Sequence, residues 1–348
     1  MSKAAFADVV GNDDLRQRIC LDILSGSFAH AYLLEGPRGC GKHTLALRIA
    51  MALSCESKHK DGTALPCMQC PTCKKILSGN SPDVILVNRG DKATLGVDPI
   101  RELRLDTVVA PNDLDVKVYV IEDAHLMTQQ AQNALLLTLE EPPSYVVFLL
   151  LCETTAPILE TVRSRAPTLR LCPVREDQVR SYLLQNEAAA RELEKSAPLE
   201  LTELLAASEG SIGQALVLLD PKRRKPILAE RQTAREFVRL CSMSRQGLAA
   251  YRFLKGLPKG RDELISHFQT MLLCLRDLLL CKQSDEAPLC FFYDREEATS
   301  LAYGYTVLEL LELCRILTER IDDLSHNANT RLTLSRLATE TGLLALPG

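Results

Sequence analysis

The sequence predicts an α/β domain built on a parallel sheet, followed by an all-helical region. Across residues 1–173, short aliphatic runs alternate with segments whose apolar residues recur at helical spacing. Near-continuous aliphatic runs are typical of strands covered on both faces, and alternation with helices indicates a doubly wound parallel sheet. Beyond Pro173 the strand-like runs stop and only Leu-rich helical patterns remain.

The individual elements follow from these patterns in chain order. Five runs are predicted to be strands: Ala31–Glu35, Val84–Val87, Lys117–Ile121, Val146–Leu151 and Thr168–Leu171. Three segments between them are predicted to be helices: Thr44–Leu53, Pro99–Val109 and Gln129–Leu139.

The helical region shows further breaks that suggest domain boundaries. Its pattern is interrupted at Ala197-Pro198 and at Gly210, and the basic segment Pro221–Pro226 is typical of a solvated linker. We therefore expect three domains: an α/β domain at 1–173, a small helical domain at 174–222 and a helical C-terminal domain at 223–348.

Composition excludes several function classes. The formal net charge is −4, Trp is absent and aromatic residues make up 5% of the 348 residues, which argues against a globally basic or base-stacking nucleic-acid binder. No apolar leader follows Met1-Ser2-Lys3, and no run reaches the roughly 18 apolar residues of a membrane span. We expect a cytoplasmic protein without membrane contact. In that reducing setting, 13 cysteines favour a metal site over disulfides.

A phosphate-binding loop is predicted between the first strand and the first of these helices. It comprises Gly36, Pro37, Arg38, Gly39, Cys40, Gly41 and Lys42, followed by His43 and Thr44. Its glycines let backbone N–H groups turn toward phosphate oxygens, while Lys42 and the helix N-terminus add positive charge. Such loops normally place Ser or Thr after the lysine as a Mg²⁺ ligand. His43 stands there, so ATP and Mg²⁺ are doubtful ligands of this site.

A second acidic motif follows the strand Lys117–Ile121. In P-loop ATPases, acids at such a strand end hold Mg²⁺ and polarise the attacking water. The usual order is Asp then Glu, but this chain has Glu122 then Asp123, so the shorter acid stands where the catalytic base is expected. A solvated strand end is the plain alternative.

Longer motifs carry a family resemblance. Gln132–Pro143 contains Leu-Glu-Glu-Pro-Pro, and Ser164-Arg165 follows; Phe6–Gly11, Ser81–Asp83 and Asn327–Leu334 extend the match along the chain. These segments resemble subunits of the bacterial replicative clamp loader, the gamma/tau motor and the delta prime subunit of DNA polymerase III, within the AAA+ class. The resemblance implies an AAA+ P-loop domain, a helical lid and a C-terminal oligomerisation collar.

The resemblance also implies a role for Arg165, that of an arginine finger presented to a neighbouring subunit's ATP. A planar, permanently charged guanidinium suits a phosphate across an interface. An ordinary surface salt bridge is the alternative, and Ala166 stands where the family usually has Cys.

Two further positions distinguish motor from non-motor subunits within this family. Cys152 and Glu153 stand where a threonine pair senses the γ-phosphate, and Gly213 replaces a phosphate-sensing arginine. Together with His43 and the reversed order of Glu122 and Asp123, these changes weaken ATP hydrolysis, whereas Arg165 is retained. The pattern indicates a delta prime type of stator with weak or absent ATPase activity of its own. Its partners would be gamma/tau and delta, with the sliding clamp and primed DNA reached through the complex. An ATP-hydrolysing gamma/tau-type motor and an AAA+ regulator outside replication remain alternatives.

A cysteine cluster interrupts the α/β pattern after the phosphate-loop helix. Cys55, Cys67, Cys70 and Cys73 form C-x11-C-x2-C-x2-C. Four thiolates suit a closed, tetrahedral, structural Zn²⁺ site, and the family carries a zinc module at this place. The segment 55–73 is therefore expected to be a zinc module. An iron–sulfur cluster, replacement of one thiolate by His59 and the absence of any metal are the other possibilities.

Overall fold

A computed structural model describes residues 5–60, 64–242, 247–284, 286–287 and 289–341, with the side chains of 247–251 excepted. The ends of the predicted 1–173 and 223–348 domains and the interior of the 55–73 cysteine segment lie partly outside these described residues.

The described chain forms five strands and sixteen α-helices. The strands are β1 Ala31–Glu35, β2 Val84–Val87, β3 Lys117–Ile121, β4 Val146–Cys152 and β5 Thr168–Arg170. The helices are α1 Asp13–Ser25, α2 Lys42–Leu53, α3 Pro71–Leu77, α4 Val97–Asp106, α5 Gln129–Glu140, α6 Glu160–Arg163, α7 Glu176–Asn186, α8 Ala188–Ser196, α9 Pro198–Ala207, α10 Ile212–Leu218, α11 Pro221–Ser242, α12 Gly247–Gly256, α13 Arg261–Gln283, α14 Arg295–Tyr303, α15 Val307–Ser325 and α16 Thr330–Glu340.

All five predicted strands are confirmed, and they form one parallel sheet in the order β2-β3-β4-β1-β5. Strand β4 extends one residue further than predicted and β5 ends one residue earlier. Because every pair is parallel, all five carboxyl ends meet at one edge. This edge receives the loops that follow β1, β2, β3 and β4.

Alternate strand residues enter two separate cores, one on each face of the sheet. Tyr32 and Leu34 of β1 pack in the first core, whereas Ala31 and Leu33 pack in the second. The same alternation runs through β3 and β4, whose central residues are all buried. Burial on both faces explains why these strands appear in the sequence as unbroken aliphatic runs.

The chain divides into two compact units. The first comprises Met1–Tyr182 and Gly210–Gln214, and the second comprises Leu183–Glu209 and Ala215–Gly348. The second unit is helical, and α13 packs against α11, α14 and α15 around its core. The division into three domains, with a separate lid at 174–222, stays a prediction.

Within the described part of the chain, one helix, α13, has the length and hydropathy of a membrane span. Its most apolar 18-residue window has a mean hydropathy of 1.4, and 39% of that window is buried. Phe268, Met271 and Leu275 along this helix are fully buried among other helices of the second unit. Its apolar character is therefore used for core packing.

The prediction of a linker at 221–226 is wrong. These residues form the first turns of α11, which continues through Pro226. Arg224 is 5% exposed, and its guanidinium contacts Glu200 of α9 at 2.8 Å. It also donates to the carbonyls of Leu218 and Leu219. The basic run thus includes a buried arginine that ties helices of the second unit together.

Candidate functional site

A pocket of about 590 Å³ lies at the carboxyl edge of the sheet. It brings together most of the predicted nucleotide-site residues, namely Arg38, Gly39, Gly41, Lys42, His43, Thr44, Glu122 and Asp123, with Cys152, Glu153 and Gly213. In doubly wound sheets, ligands bind outside the carboxyl ends of the strands. The pocket therefore stands where the fold places a ligand.

The loop after β1 has the backbone conformation that the glycines predict. Gly39 and Gly41 have φ angles of +77° and +96°, in the left-handed region that favours glycine. Gly41 precedes the first residue of α2, Lys42. The Lys42 ammonium donates to the carbonyls of Gly36 at 2.6 Å and Pro37 at 2.8 Å. These contacts hold its charge at the loop, beside the positive end of α2.

Gly213 lies directly against this loop. Its N–H donates to the carbonyl of Gly39 at 3.0 Å, and the Ser211 hydroxyl donates to the carbonyl of Arg38 at 3.0 Å. A Cβ on Gly213 would lie 2.8 Å from the Gly39 Cα, closer than atoms pack. The position where the family resemblance implies a sensing arginine therefore has no room for a side chain.

The two acids after β3 each face a basic group. Glu122 Oε1 lies 3.8 Å from His43 Nε2. Asp123 adopts a φ of +50°, and its Oδ2 accepts from Arg89 Nε at 3.1 Å. Sequence reasoning missed Arg89, although it follows β2 and so stands at the same sheet edge. The residue expected as catalytic base is thus in an ion pair.

Mg²⁺ does not fit these residues. The ion prefers oxygen ligands in octahedral geometry, but His43 supplies nitrogen where a hydroxyl is normal. Glu122 faces that imidazole and Asp123 is paired with a guanidinium. The pocket therefore combines the predicted phosphate-binding loop with two acids that each face a basic group of the same chain.

The end of β1 is tied to the segment after β4 through Glu35. Its Oε1 accepts from the Thr155 N–H at 3.0 Å and hydroxyl at 3.1 Å, and Oε2 accepts from Arg170 at 2.9 Å. Burial favours the neutral acid, but these hydrogen bonds outweigh it and hold the pKa of Glu35 below its usual range. Burial, with the nearby charge of Glu35, raises the pKa of Cys152 to about 12. Cys152 is therefore a neutral, buried thiol.

Arg165 stands apart from this pocket, since it is not among the described residues that line it. It follows α6, and its guanidinium Nη2 lies 2.9 Å from Glu140 Oε1 at the end of α5. Nη1 donates to the carbonyl of Thr161 at 3.0 Å. The side chain is 35% exposed. It is therefore accessible, and Glu140 orients it within its own chain.

The four predicted metal-ligating cysteines lie together. The sulfurs of Cys55, Cys67, Cys70 and Cys73 are all within 4.8 Å of one another. Those of Cys67 and Cys73 are 3.9 Å apart. A tetrahedron with Zn–S bonds of about 2.3 Å has edges of about 3.8 Å. The cluster can therefore hold a metal ion such as zinc, and His59 is not a member of it.

Backbone N–H groups donate to three of these sulfurs, whereas burial raises the pKa of Cys55 and of Cys73. The N–H groups of Cys67, Cys70 and Cys73 donate to the sulfurs of Cys55, Cys67 and Cys70 at 3.3–3.4 Å. At Cys67, burial raises the pKa, but N–H donors from Gln69 and Cys70 outweigh it and lower the pKa to about 6. Such hydrogen bonds to coordinating sulfurs favour metal binding.

Comparisons with known proteins agree with the motifs. Residues 11–175 match the family model described as DNA polymerase III, delta subunit. DNA polymerase III subunit tau of Bacillus subtilis is 34% identical over 215 residues, 62% of this chain and 37% of that protein. Subunit tau of Escherichia coli is 35% identical over 218 residues, 62% of this chain and 32% of that protein.

A solved structure of a DNA polymerase III gamma subunit-related protein from Thermotoga maritima is 17% identical, covering 94% of this chain and 99% of that one. The TM-score of this match is 0.44. The chain spans about a third of the length of the curated relatives it matches. Residues 11–175 therefore match the DNA polymerase III delta-subunit family model, and 62% of the chain is homologous to tau subunits of DNA polymerase III.

Proposed function

We propose that the chain is a delta prime-type subunit of the DNA polymerase III clamp loader. It acts as a stator in an AAA+ assembly that opens the sliding clamp and places it on primed DNA. Arg165 serves as a finger that completes the ATP site of an adjacent gamma/tau subunit. One combined observation supports this proposal: Arg165 is accessible, and the residues of the chain's own phosphate pocket do not fit Mg²⁺.

The chain's own pocket supports a non-motor role. Hydrolysis by P-loop enzymes needs a metal ion between the phosphates and a base or oriented water. His43 replaces the hydroxyl ligand, and Arg89 is paired with Asp123 at 3.1 Å. Gly213 packs on Gly39 and leaves no cation in the sensing position. Each change removes a different requirement of turnover.

The surroundings of Arg165 support a role in trans. Its guanidinium is part-exposed and lies outside the described lining of the chain's own pocket. It is held by Glu140 and Thr161 rather than buried in the core. An arginine finger contributes about 10³–10⁵ in rate to the site that it completes.

The test is ATPase activity of a complex reconstituted from this chain with gamma/tau and delta subunits. R165A should remove turnover at the one site that Arg165 completes and lower total activity by that site's share. R163A is the matched control, because Arg163 is exposed two residues away and should leave activity unchanged. Unchanged ATPase in R165A would refute the finger role.

An ATP-hydrolysing motor is the second candidate. Its support is the homology to tau subunits and the intact loop around Lys42. The purified chain would then show strong Mg²⁺-dependent ATPase, abolished by K42A. Such activity would replace the stator proposal.

The remaining assignments belong to the same proposal. Gamma/tau and delta are the direct partners, and the clamp and DNA are contacted through the complex. The location is cytoplasmic, and Zn²⁺ has a structural role at the four cysteines. Co-purification with clamp-loader subunits tests the partners. An AAA+ regulator outside replication would fail to co-purify with them.

A further inference from the structure

The phosphate pocket retains the groups that bind phosphate oxygens. Gly39 and Gly41 shape the loop, and Lys42 stands at the N-terminus of the twelve-residue helix α2. Arg38 adds an exposed cation at the rim of the same pocket. Loop N–H groups and a helix N-terminus bind phosphates without a metal ion.

Two basic side chains face acids of the same pocket. His43 lies 3.8 Å from Glu122, and the guanidinium of Arg89 lies 3.1 Å from Asp123. Glu153 is the third acid in the lining; it is exposed, and its N–H donates to His125 at 3.4 Å. Two of the three acids are therefore opposed by basic groups of the chain itself. The chain's own basic groups therefore compete with a divalent cation for two of the three acids.

We propose that this pocket binds the polyphosphate of a nucleotide without a divalent cation. Lys42 and the N-terminus of α2 hold the phosphates, Arg89 neutralises Asp123, and His43 stands in the position of the metal ligand. The inference rests on the proposed function, in which this pocket does not hydrolyse ATP. The bound nucleotide would therefore stay intact in the pocket.

The test is calorimetric titration of the full chain with ATP and with ADP, each in excess EDTA and in MgCl₂. Binding should be at least as tight in EDTA, because Mg²⁺ sequesters free nucleotide and gains nothing in the pocket. K42A should abolish binding in both buffers. Binding that is tighter in MgCl₂ than in EDTA, or no binding up to about 1 mM nucleotide in either buffer, would overturn the proposal.

A gain of metal dependence tests the two basic residues directly. The double variant H43S/R89A restores a hydroxyl after Lys42 and frees Asp123, so nucleotide binding should become tighter in MgCl₂ than in EDTA. H43S alone provides a second, milder variant should the double variant melt early. Arg101 is the control, since it pairs with Asp98 on the exposed face of α4 at 3.4 Å, and R101A should behave as wild type. Variants that fold but stay indifferent to Mg²⁺ would overturn the roles of His43 and Arg89.

The outcome separates from that of the finger experiment. A pocket that binds no nucleotide overturns this inference and leaves the ATPase loss of R165A in the complex as expected. Full ATPase activity of the R165A complex would refute the finger role of Arg165. It would leave the inference of metal-independent nucleotide binding by the isolated chain unaffected.

Discussion

Glu140 holds the guanidinium of Arg165 within its own chain, with Oε1 and Nη2 2.9 Å apart. Glu140 ends α5, and Arg165 lies 25 residues later, just after α6. Both side chains are part-exposed, at 49% and 35%. An exposed ion pair contributes about 0.2–1 kcal/mol, so in the proposed complex a phosphate of the neighbouring subunit would readily replace the Glu140 carboxylate.

This pairing predicts that E140Q raises the ATPase activity of the reconstituted complex. The amide keeps the shape of Glu140 but no longer competes by charge for the guanidinium. Because the pair is exposed, the increase should be no more than about fivefold. Steady-state ATPase at limiting ATP measures it.

Glu141 offers the matched control, since it is the next residue and is also exposed. E141Q should leave the activity of the complex at the wild-type level. A fall of E140Q to the level of R165A would contradict this prediction and would mean that Glu140 must orient the arginine for it to act.

The sheet and the conformation of the glycine loop after β1 could be predicted because their signals are local. Strands buried on both faces require unbroken aliphatic runs, and the runs predict β1, β2 and β3 with their observed bounds. The loop needs glycines with positive φ and a lysine at fixed spacing, and Gly39 and Gly41 have those angles. A single window of sequence contains all of this information.

The contacts that alter the pocket could not be predicted, because they join distant parts of the chain. Arg89 and Asp123 are 34 residues apart, and only the parallel order of β2 and β3 brings them to one edge. Gly213 contacts Gly39 although it follows all five strands in the sequence. The family resemblance implies that Gly213 replaces an arginine, but its close contact with Gly39 is visible only in the folded chain.

The cysteine cluster predicts one structural metal ion per chain. Zinc should be present at about one equivalent by elemental analysis after gentle purification, and C73S should lose it. Because a structural metal binds the folded state alone, C73S should lower the free energy of unfolding by about 3 kcal/mol or more. Thermal melts with and without chelator measure the same effect in the wild type.

C172S is the control for this experiment, because Cys172 is exposed and lies outside the cluster. It should keep both metal and stability. Zinc below about 0.5 equivalents would contradict the assignment, and iron in its place would favour an iron–sulfur cluster.

The contact between Gly213 and Gly39 predicts that G213A is destabilising. A Cβ there would lie 2.8 Å from one backbone atom and 2.9 Å from another, so the loop must shift. Such overpacking costs about 1–3 kcal/mol, measured by denaturant unfolding. G256A is the control, because a Cβ at Gly256 meets nothing within 4 Å. A G213A variant as stable as wild type would contradict the close packing described here.

Glu35 predicts a pH-dependent stability. Burial raises its pKa, but hydrogen bonds from Thr155 and Arg170 lower it further than burial raises it, below the usual 4.5. A carboxylate with a lowered folded-state pKa stabilises the protein above the unfolded-state pKa, and that stabilisation is lost as pH falls through the folded-state pKa.

E35Q should therefore unfold more easily than wild type at pH 7, by about 1–2 kcal/mol, since a charged acceptor is replaced by a neutral one. The difference should shrink below about pH 4.5 and vanish once Glu35 is protonated in the folded chain. R170A should cost less at pH 7, because Arg170 is 77% exposed and exposed pairs contribute little. Urea unfolding of the three proteins across this pH range measures both effects. A difference between E35Q and wild type that is constant with pH would mean that Glu35 acts through shape and hydrogen bonding alone, without its charge.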